Sequence, residues 1–244
     1  MYNQYTQAFY CDIADTSLRS AEIIGREVLQ LLGNVQSLID VGCGLGTWAA
    51  AFHKLGVPDV WGVDNVFMDQ SDVLIPRDRL IIKNLEAALD LDRTFDLAIC
   101  LEVAEHLSPT RAHSFVRDLC TLAPLVLFSA AIPGQPGVHH INMRWQSYWA
   151  DLFGQCGFGC WDCIRNRVWN NPEICYWYRQ NSLLFVHNKH VLWSHCSAES
   201  PLDLIHPELY NSKLASLENP SLKQLCRLLP GSTLRFMRRV TQIK

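Results

Sequence analysis

Short, uninterrupted apolar blocks alternate along this chain with stretches whose apolar residues recur at helical spacing. Residues 15–32, DTSLRSAEIIGREVLQLL, carry the helical pattern, with Asp15 or Ser17 suited to cap its start and Gly33-Asn34 to end it. SLIDVGCGLGTWAAAFHKLG then reads as a strand, a glycine-rich turn and a helix ending at Gly56. DVWGVD (59–64), RLIIKN (79–84), TFDLAICLEV (94–103) and PLVLFSAAI (124–132) read as further strands, and Ser108-Pro109 opens a helix running to about Leu122. Residues 144–155 predict another helix, and FGCWDCI (158–164) and NSLLFVH (181–187) two late strands. Strands apolar on both sides, alternating with helices, predict an α/β fold with a parallel sheet covered on both faces. The pattern weakens near residue 195. We therefore expect a main domain over 1–194, with an N-terminal helix or lid within 1–34, and a helical appendage over 195–244 that is basic at its end.

Composition narrows the partners. The 244 residues carry a formal charge of −3, so no global basic field invites nucleic acid. The longest apolar run, about Leu122 to Pro133, is too short to span a bilayer, and the first residues, MYNQYTQAFYCD, lack a secretory pattern. The expectation is a cytoplasmic protein with reduced thiols, without nucleic-acid or membrane partners, acting on a small molecule as monomer or homodimer.

The turn Asp40-Val41-Gly42-Cys43-Gly44-Leu45-Gly46 follows a strand directly and precedes a helix directly. Glycines permit the sharp bend and close approach of a ligand to the main chain. The carboxyl end of a strand in a doubly wound sheet is where ligands bind. The spacing is G-x-G-x-G, because Thr47 occupies the sixth position of the dinucleotide pattern, and this disfavours a nicotinamide oxidoreductase. An acid two residues before the first glycine would do nothing for a pyrophosphate, whereas it favours a cationic sulfonium or ammonium group. Asp64 ends the second strand, placed to accept from both ribose hydroxyls. The plainer alternative makes Asp40 a turn cap and Asp64 a surface acid.

Taken together, DVGCGLGTW, GVD and FDLAICLEVAEHL resemble class I S-adenosylmethionine-dependent methyltransferases. LFSAAIPGQPGVHHINMRWQSYWADLF and IRNRVWNNPEICYWYRQNSLLFV resemble a bacterial group found beside sugar and natural-product pathways. The resemblance covers about residues 10–210. It implies a Rossmann-like three-layer sandwich whose seven-stranded, mostly parallel sheet has an antiparallel last strand. It implies S-adenosyl-L-methionine as cofactor, with Asp40, Gly42, Cys43, Gly44, Gly46 and Trp48 around the methionine end and Asp64 and Asn65 at the ribose. Asn84 and Leu85 would lie near the adenine, and Leu101, Glu102 and His106 near the sulfonium. Asn84 departs from the family's usual Asp, though an amide oxygen still accepts from an exocyclic amine.

Methyl transfer is an in-line displacement for which alignment is the protein's main task. An alcohol acceptor must also lose its proton, and a neutral imidazole within reach is the usual device. His139-His140 follow the fifth strand. The family's His-x-Asn pair maps onto His140 and Asn142, so the expected base or acceptor-orienting residue is His140, with His139 second. His106 either orients the acceptor or bonds a loop carbonyl, and a helix-capping role is the alternative for the histidine pair. Where the family has Glu-Gln, this chain has Met143-Arg144, so Arg144 either meets an anionic acceptor or lies on the surface. Trp145, Trp149 and Trp169 are candidate walls of an acceptor pocket, and Tyr10 a candidate lid residue with Tyr2 and Tyr5. Trp145 and Trp149 share a helix face, so packing is expected of at least one. The function expected is O-methylation of a sugar or natural-product hydroxyl. N-methylation of an amine and a cofactor-binding module without turnover are the alternatives.

Ten cysteines are many for this length, and Cys156, Cys160 and Cys163 stand in CGFGCWDC at a spacing that suits an iron–sulfur cluster. Such radical enzymes carry a barrel after their cysteines, and only 81 residues follow Cys163. On a strand, Cys160 and Cys163 would point to opposite faces. The expectation is small buried hydrophobes and no metal, a zinc site with Cys175 being the lesser alternative.

Overall fold

A computed structural model describes residues 7–65, 73–196 and 202–218, with side chains described from Ser17 onward. Tyr2, Tyr5, the side chain of Tyr10 and the basic C-terminal segment lie outside the described residues. Helix α1 (Gln7–Leu32) is followed by β1 (Ser37–Val41), α2 (Thr47–Lys54), β2 (Asp59–Asp64), β3 (Leu80–Ile82) and β4 (Leu97–Leu101). Next come α3 (Ala112–Leu122), β5 (Leu125–Ser129), α4 (Gln146–Gln155), β6 (Phe158–Trp161), α5 (Arg165–Val168), α6 (Tyr176–Asn181), β7 (Leu183–His187) and α7 (Pro207–Glu218). The chain divides into two compact units, Met1–Leu204 and Ile205–Lys244. Helix α7 is the described element of the second.

The seven strands form one sheet in the order β3-β2-β1-β4-β5-β7-β6. Strands β1 to β5 pair in parallel, and β7 runs antiparallel to both β5 and β6. This is the expected α/β three-layer sandwich. Its helical layers follow from alternation along strands that are apolar on both faces. Leu38, Leu97, Ile99, Leu125, Leu127 and Leu184 pack with Ala21, Ile24 and Val28 of α1 and with Trp48 and Phe52 of α2. Ile39, Ala98, Cys100, Val126, Phe128 and Phe185 face Phe115, Val116 and Leu119 of α3 and Trp149 and Phe153 of α4. Adjacent strand residues thus serve opposite layers, as the pleat requires. The order reverses between β1 and β4, so loops after these strands diverge and leave a crevice at their carboxyl ends.

Several boundaries differ from the pattern-based ones. Helix α1 begins eight residues before Asp15, at Gln7. Strand β3 shrinks to Leu80–Ile82, an exposed-edge ladder against β2. Residues Ser108–Arg111 form a turn before α3, with the Arg111 amide bonded to the Ser108 carbonyl at 2.9 Å. Strand β6 ends at Trp161. The Cys163 amide turns back to the Trp161 carbonyl at 2.9 Å, so Cys163 sits in a turn and not on the strand. Asn181, expected to open the last strand, ends α6 instead.

Candidate functional site

The first half of the site is the glycine turn. The amides of Gly42 and Cys43 both donate to the Val63 carbonyl of β2, at 2.8 and 3.3 Å, bending the chain across the end of the sheet. Gly42 has φ +81°, and a Cβ there would stand 2.4 Å from Val103 Cγ2. Bare backbone at this position is therefore required twice, by conformation and by the neighbour after β4. Gly46 caps α2 in the left-handed conformation, φ 78° and ψ 23°.

Asp64 binds the turn together. Its Oδ2 accepts from the Gly44 amide at 2.7 Å and its Oδ1 from the Asn65 amide at 2.6 Å. A carboxylate offers about four acceptor positions, so lone pairs remain for two hydroxyls of a sugar. Asp40 is 3% exposed, and its Oδ2 accepts from the Ala49 amide at 3.3 Å. Burial pushes its pKa up to about 8, with the Ala49 bond opposing and the charge of Asp64 adding to the rise. A buried acid at the mouth of a helix, short of partners, suits a cationic ligand group.

The second half lies where β4 and β5 end. Beyond β4, Glu102 takes the left-handed conformation, φ 56°, and Ala104–His106 form a single 3-10 turn. Beyond β5 the chain runs through Pro133 to Asn142. The two loops are clasped through one acceptor: the Glu105 carbonyl takes the amides of Ile141 and Asn142, at 2.9 and 3.0 Å. His139 is also left-handed, φ 62°. Its inversion sends the exposed His139 ring outward while His140 turns in, edge to face with His106 at 4.9 Å between centroids. Two non-glycine residues in this region of φ at one site mark strain held by the surrounding contacts.

Glu105 is fully buried next to these rings, and neither carboxylate oxygen has a hydrogen-bond partner of good geometry. Burial and then the neighbouring charge of Glu102 push its pKa up strongly. Burial pushes His106 down to about 4, with His140 adding to the fall. Burial lowers His140 as well, the Gln135 backbone opposing. Both imidazoles are therefore neutral near pH 7. The two halves meet around Cys100, whose buried thiol is raised well above its ordinary pKa by desolvation and then by Glu105, Asp40, Asp64 and Glu102.

A buried polar chain backs the site. Glu102 Oε2 accepts from Gln135 Nε2 at 2.6 Å, and its Oε1 from Asn181 Nδ2 at 3.1 Å. Asn181 Nδ2 also donates to Gln135 Oε1 at 2.9 Å, and Gln180 Nε2 to Asn181 Oδ1 at 2.9 Å. Glu105, Gln135, Gln180 and Asn181 were not among the residues singled out by sequence. The signal available was a polar run, Arg179-Gln180-Asn181-Ser182, immediately before the wholly apolar β7.

Several expected contacts take other roles. Cys43 turns its thiol onto β2, where a Cβ on Gly62 would come within 2.7 Å of Sγ, so the side chain packs instead of facing the crevice. Trp48 is in the core, edge-on to Tyr178 at 4.9 Å. Asn84 is exposed, and its Oδ1 accepts from the Glu86 amide at 3.0 Å, closing a local turn. Leu85 and Leu101 belong to the two core layers. Asn142 spends its side chain on structure, with Nδ2 on the Ala104 carbonyl at 3.4 Å and Oδ1 accepting from Arg144 Nε at 3.1 Å. Trp149 is 2% exposed and packs against Phe128, so it walls the core and not a pocket. Trp169 ends α5, its carbonyl accepting from Arg179 at 3.1 Å. Trp145 and Arg144 remain at the surface and line a cavity of ≈ 340 Å³ with Met143 and Tyr148. The Arg144 guanidinium lies over the Tyr148 ring at 5.0 Å.

A family model described as a methyltransferase domain matches residues 14–184 of the chain. No curated protein matches its sequence. Among solved structures, the chain is similar to magnesium protoporphyrin IX methyltransferase of Synechocystis PCC 6803. That likeness has 19% identity and a TM-score of 0.50, and covers 77% of this chain and 90% of the other. It is similar as well to the sugar N-methyltransferase KedS8 of Streptoalloteichus sp ATCC 53650, with 14% identity, TM-score 0.54, and coverage of 70% and 87%. DesVI of Streptomyces venezuelae gives 14% identity, TM-score 0.55, and coverage of 75% and 99%. At these identities the likenesses establish the fold. Among the described residues no helix is long and apolar enough to cross a membrane.

Proposed function

Since the chain belongs to the methyltransferase-domain family, enzymes that take a methyl group from S-adenosyl-L-methionine, we propose that it O-methylates a hydroxyl of a small molecule such as a sugar or natural product. The methionine end of the cofactor lies along Gly42–Gly46 with its cationic groups toward Asp40. The ribose hydroxyls take the free lone pairs of Asp64. The methyl group points to the ends of β4 and β5, where His106 and His140 receive the acceptor.

The observation that carries this reading is the inward His140 ring, whose Nδ1 is buried without a hydrogen-bond partner next to His106. A neutral imidazole with an open nitrogen suits an alcohol oxygen, which must be held in line with the methyl carbon and relieved of its proton. His140 is accordingly the acceptor-orienting residue. His139 stands beside it at the surface, and Arg144 and Trp145 flank the approach. In the transfer, the acceptor oxygen forms the new O–CH3 bond while the C–S pair returns to sulfur. The sulfonium becomes a neutral thioether and the hydroxyl proton leaves to solvent. The likeness to a sugar N-methyltransferase supports a small polyhydroxylated acceptor while leaving its atom to experiment.

Calorimetry with S-adenosylhomocysteine and NAD tests the cofactor, and only the former should bind. Incubating the enzyme with isotopically labelled cofactor and a panel of sugars and phenols, with mass spectrometry, tests the reaction. A labelled methyl ether is expected. A labelled amine would overturn the oxygen assignment, and tight cofactor binding without any transfer would favour a non-catalytic module.

A further inference from the structure

Glu105, His106 and His140 each present a donor atom, and the three donors lie within 4.8 Å of one another. Two loops from different strands meet to make this group. Glu105 and His106 come from the 3-10 turn after β4, and His140 from the chain after β5. The Glu105 carbonyl clasps the two together through Ile141 and Asn142. We propose that this cluster is a divalent metal site, a two-histidine, one-carboxylate set for a manganese-, iron- or zinc-class ion.

Three observations carry the proposal. First, Glu105 is fully buried, and neither of its oxygens has a hydrogen-bond partner of good geometry, the Ala131 backbone and the Glu102 side chain approaching it only loosely. A carboxylate buried with so few good partners is costly unless a proton or a cation neutralises it. Its nearest acidic neighbour is Glu102, which makes the deficit of positive charge larger. Second, His140 Nδ1 is buried without a partner and so is open as a donor. Third, the fold makes room for this ring at a specific cost. His139 is held left-handed, and the His140 ring lies so close over Gly137 that an added Cβ there would be 2.1 Å from Cε1 and Nε2.

The geometry and chemistry of the donors agree with an ion of this class. Donors of a six-coordinate ion at about 2.1 Å stand about 3–4 Å apart, so a modest inward movement of the two rings closes the set. Imidazole with carboxylate suits borderline ions, and three protein donors leave positions open for a substrate oxygen. By spacing alone, only the cysteines suggested a metal. Those thiols do not form a donor group among the described residues, whereas this one does.

The inference rests on the proposed transferase reading for its purpose, with one change: when the ion is bound, His140 Nδ1 ligates it and orients the acceptor through the metal, not by a direct hydrogen bond. An acceptor hydroxyl entering the open positions would lose its proton to solvent more readily. Its oxygen pair would then form the bond to the methyl carbon as the C–S pair returns to sulfur.

The test is titration of chelator-treated full-length protein with Mn2+, followed by calorimetry and electron paramagnetic resonance. One Mn2+ per chain is expected, with pulsed spectra showing nitrogen coupling from imidazole. Glu105→Gln and His140→Ala should each weaken Mn2+ binding at least about tenfold. A failure to bind Mn2+, or Mn2+ bound without nitrogen coupling, overturns the proposal, and the spectrum of the unmutated protein decides this even if the variants do not fold. Unchanged affinity in folded variants overturns it as well. S-adenosylhomocysteine binding, measured on the same samples, separates the two readings. If that ligand binds and Mn2+ does not, the metal site alone fails; if it does not bind, the transferase reading fails whatever Mn2+ does.

Discussion

The His140 ring lies over the bare Cα of Gly137, so close that a Cβ on Gly137 would fall 2.1 Å from both Cε1 and Nε2. Gly137 itself does not adopt a left-handed φ, so alanine is acceptable to its backbone and the conflict is with the ring alone. Gly137→Ala therefore displaces His140 without removing the imidazole. We expect kcat to fall about 100-fold, as for a displacement of about 1 Å in a reacting group, with affinity for S-adenosylhomocysteine unchanged. Steady-state kinetics and calorimetry on the one variant check both halves.

Asp40 sets the pH dependence of cofactor binding. Its folded pKa, raised by burial to about 8, lies above the ordinary 3.8. The folded apo protein thus holds a proton that the unfolded chain has released, and stability falls as pH rises between those values. That contribution is complete below 3.8 and gone above about 8. A cationic ligand favours the ionised form, so binding near neutrality releases this proton. Affinity for S-adenosylmethionine should rise with pH between about 6 and 7.5, by at most about tenfold per unit. Calorimetry in buffers of differing ionisation enthalpy reads the proton directly. Asp40→Asn should flatten the slope and make the apo protein more stable at pH 8 than the parent.

How much of this was legible beforehand depended on whether a feature is local. The parallel core strands showed themselves because each is apolar on both faces, and the glycine turn because its spacing is contiguous. Asp64 was placed correctly at the end of β2, yet its bonds to the Gly44 and Asn65 amides could not be read, because they depend on how the turn folds back. The meeting of His140 with Glu105 was out of reach for a different reason. It depends on a left-handed φ at His139, a conformation routine for glycine and uncommon enough at histidine that no sequence pattern announces it. Trp145 and Trp149 illustrate the same limit. Their spacing suggests a shared helix face, but α4 begins only at Gln146, so Trp145 is its extended N-cap and 37% exposed while Trp149, inside the helix, is core.

Gly42 is the least replaceable residue of the turn. A side chain there would take a φ of +81° and would also meet Val103 at 2.4 Å. The conformational part costs about 1–2 kcal/mol and the overlap about 1–3 kcal/mol more. Gly42→Ala should lower stability by about 2–5 kcal/mol and abolish measurable cofactor binding, since the turn amides shift. Adding Val103→Ala relieves the overlap and not the φ. Chemical denaturation of the double variant should therefore recover part of the lost stability, and a full recovery would mean that the left-handed backbone costs nothing.

The polar chain behind the crevice makes a prediction at a distance from the chemistry. Asn181 ends α6, where its Nδ2 serves Glu102 and Gln135 together and its Oδ1 accepts from Gln180. Gln146 Nε2 reaches the same oxygen at 3.4 Å. Truncation to alanine leaves several buried groups short of partners at once, and each such group costs about 1–3 kcal/mol. Partial relaxation keeps the sum below simple addition, so Asn181→Ala should destabilise by about 2–4 kcal/mol in urea denaturation. Asn181→Asp has nearly the same shape but replaces the donor facing Glu102 with an acceptor. It should be at least as damaging, because two carboxyl groups would then face one another in a dry site. If the chain matters only as packing, the aspartate variant will resemble the parent. If donor and acceptor identity decides, it will fall below the alanine variant.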